Sequence, residues 1–348
     1  MKTIPLDKTS TKLLGRSLVR NNILRLTLSC TGCEFVFTGN KLSLNIGVDN
    51  DCYTDGKRCN MPRIAIFCDN RIVVKKVIEK RSEIFDIICS DTTVTRTIKI
   101  IKLSEAAFSI AEVRPALVDD NASITPTSSK PLKIEFIGDS ITCGYGVDDS
   151  NMQSEFACEA ENGMKSYAYV ASEILDADFS FFSYSGHGII SGFTDDGLRN
   201  TREILPPWYE TYGFSYSSVD GIQLQDIPWN FNEFVPDIIV VNLGTNDNSF
   251  CTFHNEAYFE FERSYIDFLS VIRKNNPKAQ IVCTLGIMLI EPLPYIENAV
   301  KILGDNKISI FKSSTQNGLL GFGSNWHPSE DTQRYAGEEL AAYIKSIL

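Results

Sequence analysis

From residue 132 to the C-terminus, short apolar runs of strand length alternate with segments of helical period, and this alternation constrains the fold more than any other feature of the chain. Residues 134–137, 179–183, 237–243, 280–285 and 307–311 read as strands, the most apolar of them buried. Between them, Ser166 precedes Tyr167, Val170, Ala171, Ile174 and Leu175, which share one helical face. Residues 256–275 and a segment from Ser329 to about residue 347 carry further helical patterns. Strands alternating with helices predict an α/β domain, a mostly parallel sheet with helices on both faces.

Ahead of this region the period changes. Residues 23–28 and 42–46 alternate with period two, residues 64–68 and 72–77 flank Asp69-Asn70 as a hairpin turn, and residues 95–103 add a strand. Many short strands without helical patterns between them predict an all-β sandwich or jelly-roll-like domain over residues 1–118. Residues 119–131 are polar, contain two prolines and read as a linker to a second domain over residues 132–348.

The first strand of the second domain runs into Gly138-Asp139-Ser140, with glycines following at 144 and 146. Ser140 is thereby expected on a tight turn at a strand's carboxyl end, where open α/β sheets bind ligands. A serine hydroxyl used as a nucleophile needs a base to take its proton and donors for the oxyanion that follows. The chain holds 3 histidines, His187, His254 and His327. His327 lies in Gly323-Ser324-Asn325-Trp326-His327-Pro328-Ser329, just before the last helix, and is the best base. The strand at 237–243 ends in Gly244-Thr245-Asn246-Asp247, where the Asn246 side chain can donate to an oxyanion. The strand at 179–183 ends in Ser185-Gly186-His187-Gly188, where the glycine N–H can approach closely. Asp139 reads as a brace for its turn, His187 as a substrate contact or an ordinary loop residue, and His254 as structural.

Gly138-Asp139-Ser140, Gly186, Gly244-Thr245-Asn246-Asp247 and His327, in this order at strand ends, resemble the four blocks of the SGNH (GDSL) hydrolases. The first block and Trp326-His327-Pro328-Ser329 are similar, more narrowly, to the acetyl-xylan esterases of carbohydrate esterase family 2. The resemblance covers essentially the whole chain, strongly from about residue 131 onward. It implies an SGNH-type sheet preceded by a jelly-roll-type domain, and a serine esterase removing O-acetyl groups from xylo-, gluco- or manno-oligosaccharides or polysaccharides. Ser140 and His327 would be catalytic, with the backbone N–H groups of Ser140 and Gly186 and the amide of Asn246 forming the oxyanion hole. Asp139, Trp326, His187 and Trp208 are candidates for orienting groups or touching substrate. Trp208 lies in an aromatic stretch, residues 206–216, whose rings suit either stacking on sugars or packing under a long loop.

One position departs from the SGNH pattern. The aspartate usually found three residues before the histidine is Ser324 here. Family 2 esterases can use a Ser-His dyad with a backbone carbonyl holding the ring, and this sequence resembles that arrangement; Asp247 and Glu330 stay open as alternative carboxylates. The missing aspartate also leaves open a non-catalytic carbohydrate-binding protein, and another SGNH activity, lysophospholipase or thioesterase, would need a long acyl groove.

The formal net charge of -11 argues against nucleic acid or an anionic membrane as partner and favours a neutral substrate. No apolar run has the length of a membrane span and the N-terminus lacks a signal-peptide core, so a cytoplasmic location is expected, or a secreted one if a leader was removed. The 10 cysteines are scattered through apparent strands and are expected as free thiols; Cys30-Thr31-Gly32-Cys33 has no second pair at zinc-ligand spacing. No nucleotide fingerprint or metal box is present, and no cofactor is expected. The β-rich domain, which has no histidine, is read as a structural buttress or homo-oligomer interface, or else as a sugar-binding module.

Overall fold

The period-two segments of the first third pair antiparallel in a computed structural model of the protein, which describes residues 1–48 and 60–348. Two long strands, Gly32–Val48 and Glu83–Lys102, organise this sheet. Gly32–Val48 turns Cys33, Phe35 and Phe37 inward, and then Leu42, Leu44, Ile46 and Val48. The inward set passes from odd to even numbers because the register shifts between Gly39 and Lys41. A bulge of this kind bends the strand and resets which side chains face the core. The expected hairpin forms between Arg63–Cys68 and Arg71–Val77. Asp69 and Asn70 take φ of 49° and 65°, the left-handed pair that a two-residue hairpin turn requires.

This β-rich unit comprises Met1–Ser129, Ala157–Glu161 and Thr211–Pro228, which differs from the expected continuous domain. The stretch 119–131, expected to be a linker, contributes strand Ser123–Pro126, paired antiparallel with residues 35–38. Ala122 and Ile124 turn inward, and Asp119 Oδ1 accepts the N–H groups of Asn40 at 2.8 Å and Lys41 at 2.9 Å. Those contacts order a segment that its polar composition marks as loose. Residues 211–228 join the unit through contacts nearly 200 positions away in sequence. Arg16 Nη1 donates to the Thr211 carbonyl at 2.7 Å, Arg25 Nη2 meets Asp220 Oδ1 at 2.9 Å, and Val219 and Leu224 cluster with Leu18 and Ile110.

The second unit comprises Lys130–Phe156, Asn162–Glu210 and Trp229–Leu348. Its sheet is parallel throughout, in the spatial order Ala177–Ser183, Leu132–Gly138, Ile238–Asn242, Gln280–Ile287, Ile308–Thr315. Every residue of Ile238–Asn242 is buried, as in a strand covered on both faces. Helices Tyr167–Ile174, Ala257–Asn275 and Glu330–Ile347 form where expected. Ser166 and Ser329 act as N-caps, their hydroxyls accepting from the N–H groups of Tyr169 and Thr332. A further helix, Leu293–Leu303, was absent from the reading of the sequence, although Pro292 at its start and left-handed Gly304 at its end signal one. Cys30, Cys33, Cys68, Cys89, Cys143, Cys158, Cys251 and Cys283 are free thiols, as expected; Cys52 and Cys59 lie outside the described residues. Among the described residues no helix is long and apolar enough to cross a membrane.

Candidate functional site

The strands Leu132–Gly138, Ala177–Ser183 and Ile238–Asn242 end level with one another, Gly138 standing opposite both Ser183 and Asn242. Chain direction across the sheet reverses here, and the crevice at such a reversal is where open α/β sheets hold ligands. Gly138 has no room for a side chain, since a Cβ would lie 2.1 Å from Thr142 Oγ1. The chain can therefore turn at once into the short helix Ser140–Cys143, with Asp139 as its N-cap. Asp139 Oδ1 accepts the Ile141 N–H at 3.0 Å. Burial pushes the Asp139 carboxyl up to about 7, the Ile141 N–H pulls it down, and the nearby Asp247 charge adds to the rise.

Gln333, fully buried on the last helix, holds this short helix from below. Its Nε2 donates to the Ile141 carbonyl at 2.9 Å and its Oε1 accepts the Tyr167 N–H at 2.7 Å. One side chain thus satisfies the orphan Tyr167 N–H at one helix start and adds a second donor to the Ile141 carbonyl, which also accepts the Gly144 N–H at 3.4 Å. The sequence reading missed Gln333, because a glutamine on an otherwise ordinary helix carries no local signal.

His327 Nε2 lies 2.8 Å from Ser140 Oγ, joining residues 187 positions apart. Its Nδ1 lies 3.1 Å from the Asn325 carbonyl, which can only accept, so the ring hydrogen sits on Nδ1 and the Nε2 lone pair faces the serine. Asn325 and Trp326 take left-handed φ of 49° and 60°, turning that carbonyl back under the ring. A tryptophan in this region is strained by about 1–3 kcal/mol, a cost characteristic of functional loops. Tyr145 stacks on the imidazole, ring centroids 3.9 Å apart. Burial holds the imidazole well below its ordinary value, at about 4, against the opposing pull of the Asn325 carbonyl.

The carbonyl answers which group orients the ring. Glu330 is paired with Lys165, and Asp247 faces the loop at Ile189–Ser191. Ser324 is packed against Gly146, where a Cβ would lie 2.1 Å from Ser324 Oγ, and its N–H donates to the Gly146 carbonyl at 3.1 Å.

Asn246 opens the helix Thr245–Cys251, buried, with Nδ2 donating to the His187 carbonyl at 2.9 Å and lying 3.5 Å from Asp139 Oδ2. Gly186 has φ of 77°, a conformation that favours glycine, and its carbonyl accepts the Phe193 N–H at 2.8 Å. His187 is buried, its Nδ1 2.7 Å from the Ser185 carbonyl, and desolvation holds it at about 4. Trp208 meets the rings of His187 and Tyr184 edge-on, at 5.2 and 5.9 Å, so the aromatic stretch does reach this loop. Thr211 onward belongs to the other unit. Trp326 is 48% exposed beside His327 and meets Phe322. His254 bonds the Gly197 carbonyl and packs on Phe250, away from these contacts. Among the described residues, no group of three His, Cys, Asp or Glu side chains at metal-ligand spacing includes His327 or His187.

Residues 136–306 match the GDSL-like lipase/acylhydrolase family. The cellulase/esterase CelE of Acetivibrio thermocellus is 31% identical over 275 residues, 73% of this chain and 32% of CelE. An acetylxylan esterase / glucomannan deacetylase of Cellvibrio japonicus is 22% identical over 263 residues, 71% of this chain and 68% of its own length. The chain thus spans about a third of CelE and about two thirds of the second relative. Among solved structures, an acetyl xylan esterase from the rumen bacterium Butyrivibrio proteoclasticus superposes with a TM-score of 0.85 at 22% identity, covering 98% of this chain and 97% of that one. A family two carbohydrate esterase from Clostridium thermocellum, in complex with cellohexaose, gives 0.81 at 24% identity, covering 97% and 98%. The two-part architecture, antiparallel β-rich and parallel α/β, is theirs.

Proposed function

Since the chain carries a domain of the GDSL-like lipase/acylhydrolase family, we propose that it is a serine esterase removing O-acetyl groups from plant-type oligo- or polysaccharides. The observation that carries the reading is the 2.8 Å contact of His327 Nε2 with Ser140 Oγ, on a ring whose Nδ1 is fixed by the Asn325 carbonyl. Similarity to named acetylxylan esterases supplies the acyl group and the class of alcohol.

In this mechanism His327 takes the Ser140 proton as Oγ attacks the acetyl carbonyl. The oxyanion is met by the N–H groups of Ser140 and Gly186 and by Asn246. One Asn246 hydrogen is engaged by the His187 carbonyl at 2.9 Å; the other, held loosely at 3.5 Å from Asp139, is offered to the oxyanion. His327 then gives its proton to the departing sugar oxygen, leaving an acetyl-enzyme. Water, deprotonated by the same ring, attacks that ester, and Ser140 recovers its proton as acetate leaves. A carbonyl in place of a carboxylate holds the ring's orientation while adding no full charge to stabilise the imidazolium. Acetate release from acetylated xylan oligosaccharides, together with rates on p-nitrophenyl esters of increasing chain length, tests the assignment. A sharp preference for acetyl is expected; faster turnover of long acyl chains would replace it with a lipase or thioesterase.

A further inference from the structure

We infer that Asp247 is the positioning residue of the oxyanion hole, locking the Gly186-His187 loop to the helix that carries Asn246; this rests on the esterase reading above. Asp247 is fully buried, and its side chain is spent on one loop. Oδ1 accepts the N–H groups of Ile189 at 2.9 Å, Ile190 at 2.7 Å and Ser191 at 3.2 Å, and Oδ2 lies 3.0 Å from the Ile189 N–H. Gly188 lets the loop come this close, because a Cβ there would stand 2.7 Å from Asp247 Oδ2 and 2.0 Å from the Ser191 carbonyl.

The neighbouring side chain grips the same loop from its other end. Asn246 Nδ2 donates to the His187 carbonyl at 2.9 Å. Two consecutive residues in the first turn of one helix therefore hold the loop by opposite chemistry, an amide donor on a carbonyl and a carboxylate on three N–H groups. The loop also folds back on itself, Phe193 N–H on the Gly186 carbonyl at 2.8 Å and Leu205 N–H on the Gly188 carbonyl at 2.9 Å. These two bonds fix its shape but not its place relative to Ser140. Placement near Ser140 comes from Asn246 and Asp247, while Ser249 of the same helix accepts the Thr194 N–H at 2.9 Å further along the loop.

A buried carboxylate is an expensive way to pin a loop unless its lone pairs are filled, and here three donors fill them. Burial pushes this carboxyl up to about 6, and the N–H groups of Ile190, Ile189 and Ser191 pull it back. Ionised, it is an acceptor on both oxygens, which an amide of the same shape is not. In Asp247→Asn the amide oxygen can keep the place of Oδ1, but an NH₂ group then stands where Oδ2 lies 3.0 Å from the Ile189 N–H, donor against donor, and the loop would shift. A displacement of about 1 Å in a catalytic group costs on the order of 10²-fold in rate.

The test compares wild type, Asp247→Asn, Asn246→Ala and the double variant on p-nitrophenyl acetate, with rates referred to folded protein counted by near-ultraviolet circular dichroism. Positioning predicts that Asp247→Asn loses about 10²-fold in kcat with KM within about twofold, and that the double variant is hardly slower than Asn246→Ala alone. A merely structural role would lower the melting temperature and leave kcat per folded molecule intact, which would overturn the inference, as would multiplicative losses in the double variant. Should Asp247→Asn fail to fold, Asp247→Ser leaves space for water at the loop N–H groups and is expected to show the same split; wild-type kcat in that variant would equally overturn it. An inactive wild type would refute the esterase reading and this inference with it, whereas an active wild type matched by its Asp247 variants refutes the inference alone.

Discussion

Replacing Tyr145 with alanine should move the acid limb of the pH profile. The Tyr145 ring covers one face of His327 at a centroid distance of 3.9 Å, and burial is the first cause of the imidazole's low value of about 4. A base with that value is about 90% neutral at pH 5, whereas one at the ordinary value of about 6.5 is about 3% neutral. Wild-type kcat/KM should therefore be nearly undiminished at pH 5 and fall only toward pH 4. Opening the face to water should carry the limb toward 6.5, so that the variant at pH 5 keeps about a thirtieth of its own plateau if the shift is complete. Initial rates on p-nitrophenyl acetate between pH 3.5 and 8 read the limb independently of plateau height, which also falls if the Asn325 contact loosens. A wild-type limb near 6.5, or a variant limb unmoved from about 4, would refute the reasoning that burial keeps this histidine neutral.

Asn246→Ala should lower kcat per folded molecule by roughly 10²- to 10³-fold, beyond the roughly 1–3 kcal/mol of stability lost with its bond to the His187 carbonyl, measured by steady-state kinetics beside thermal unfolding. Gln333→Leu strands the buried Tyr167 N–H and removes one of two donors to the Ile141 carbonyl, and should destabilise the protein by about 1–3 kcal/mol in urea unfolding, with activity lowered alongside because Ile141 adjoins Ser140. Trp208→Ala, removing the ring packed on His187, should raise KM for acetylated oligosaccharides more than for p-nitrophenyl acetate; equal effects on both would assign the ring to loop packing alone.

The nucleophile's surroundings were legible because they depend on local rules. An apolar strand ending in Gly138-Asp139-Ser140 needs a glycine at the turn and a capping side chain after it, and both appear in adjacent letters. The hairpin at Asp69-Asn70 was readable for the same reason. What orients His327 was not, since a backbone carbonyl has no residue type, and only the left-handed Asn325 and Trp326 bring it under the ring. Gln333 and Asp247 act on backbone groups 192 and about 57 positions away, and no spacing rule reports such contacts. Residues 211–228 were misplaced for a related reason: their polar and aromatic composition suits a loop, and buried Arg16 and Arg25 from the far end of the chain decide which unit takes them. Strand Ser123–Pro126 was hidden by its exposed Ser, Thr and Pro, with Ile124 its one apolar anchor.

The central claim is that Ser140, activated by His327, carries the acetyl group. Rapid acid quench of the protein with acetylated xylan oligosaccharide, followed by peptide mass analysis, tests it directly. The account predicts one acetyl group on the peptide containing Ser140 during turnover, with none in Ser140→Ala, which should also release no acetate. Acetate release that persists in Ser140→Ala, or an acetyl group found on another residue, would contradict it.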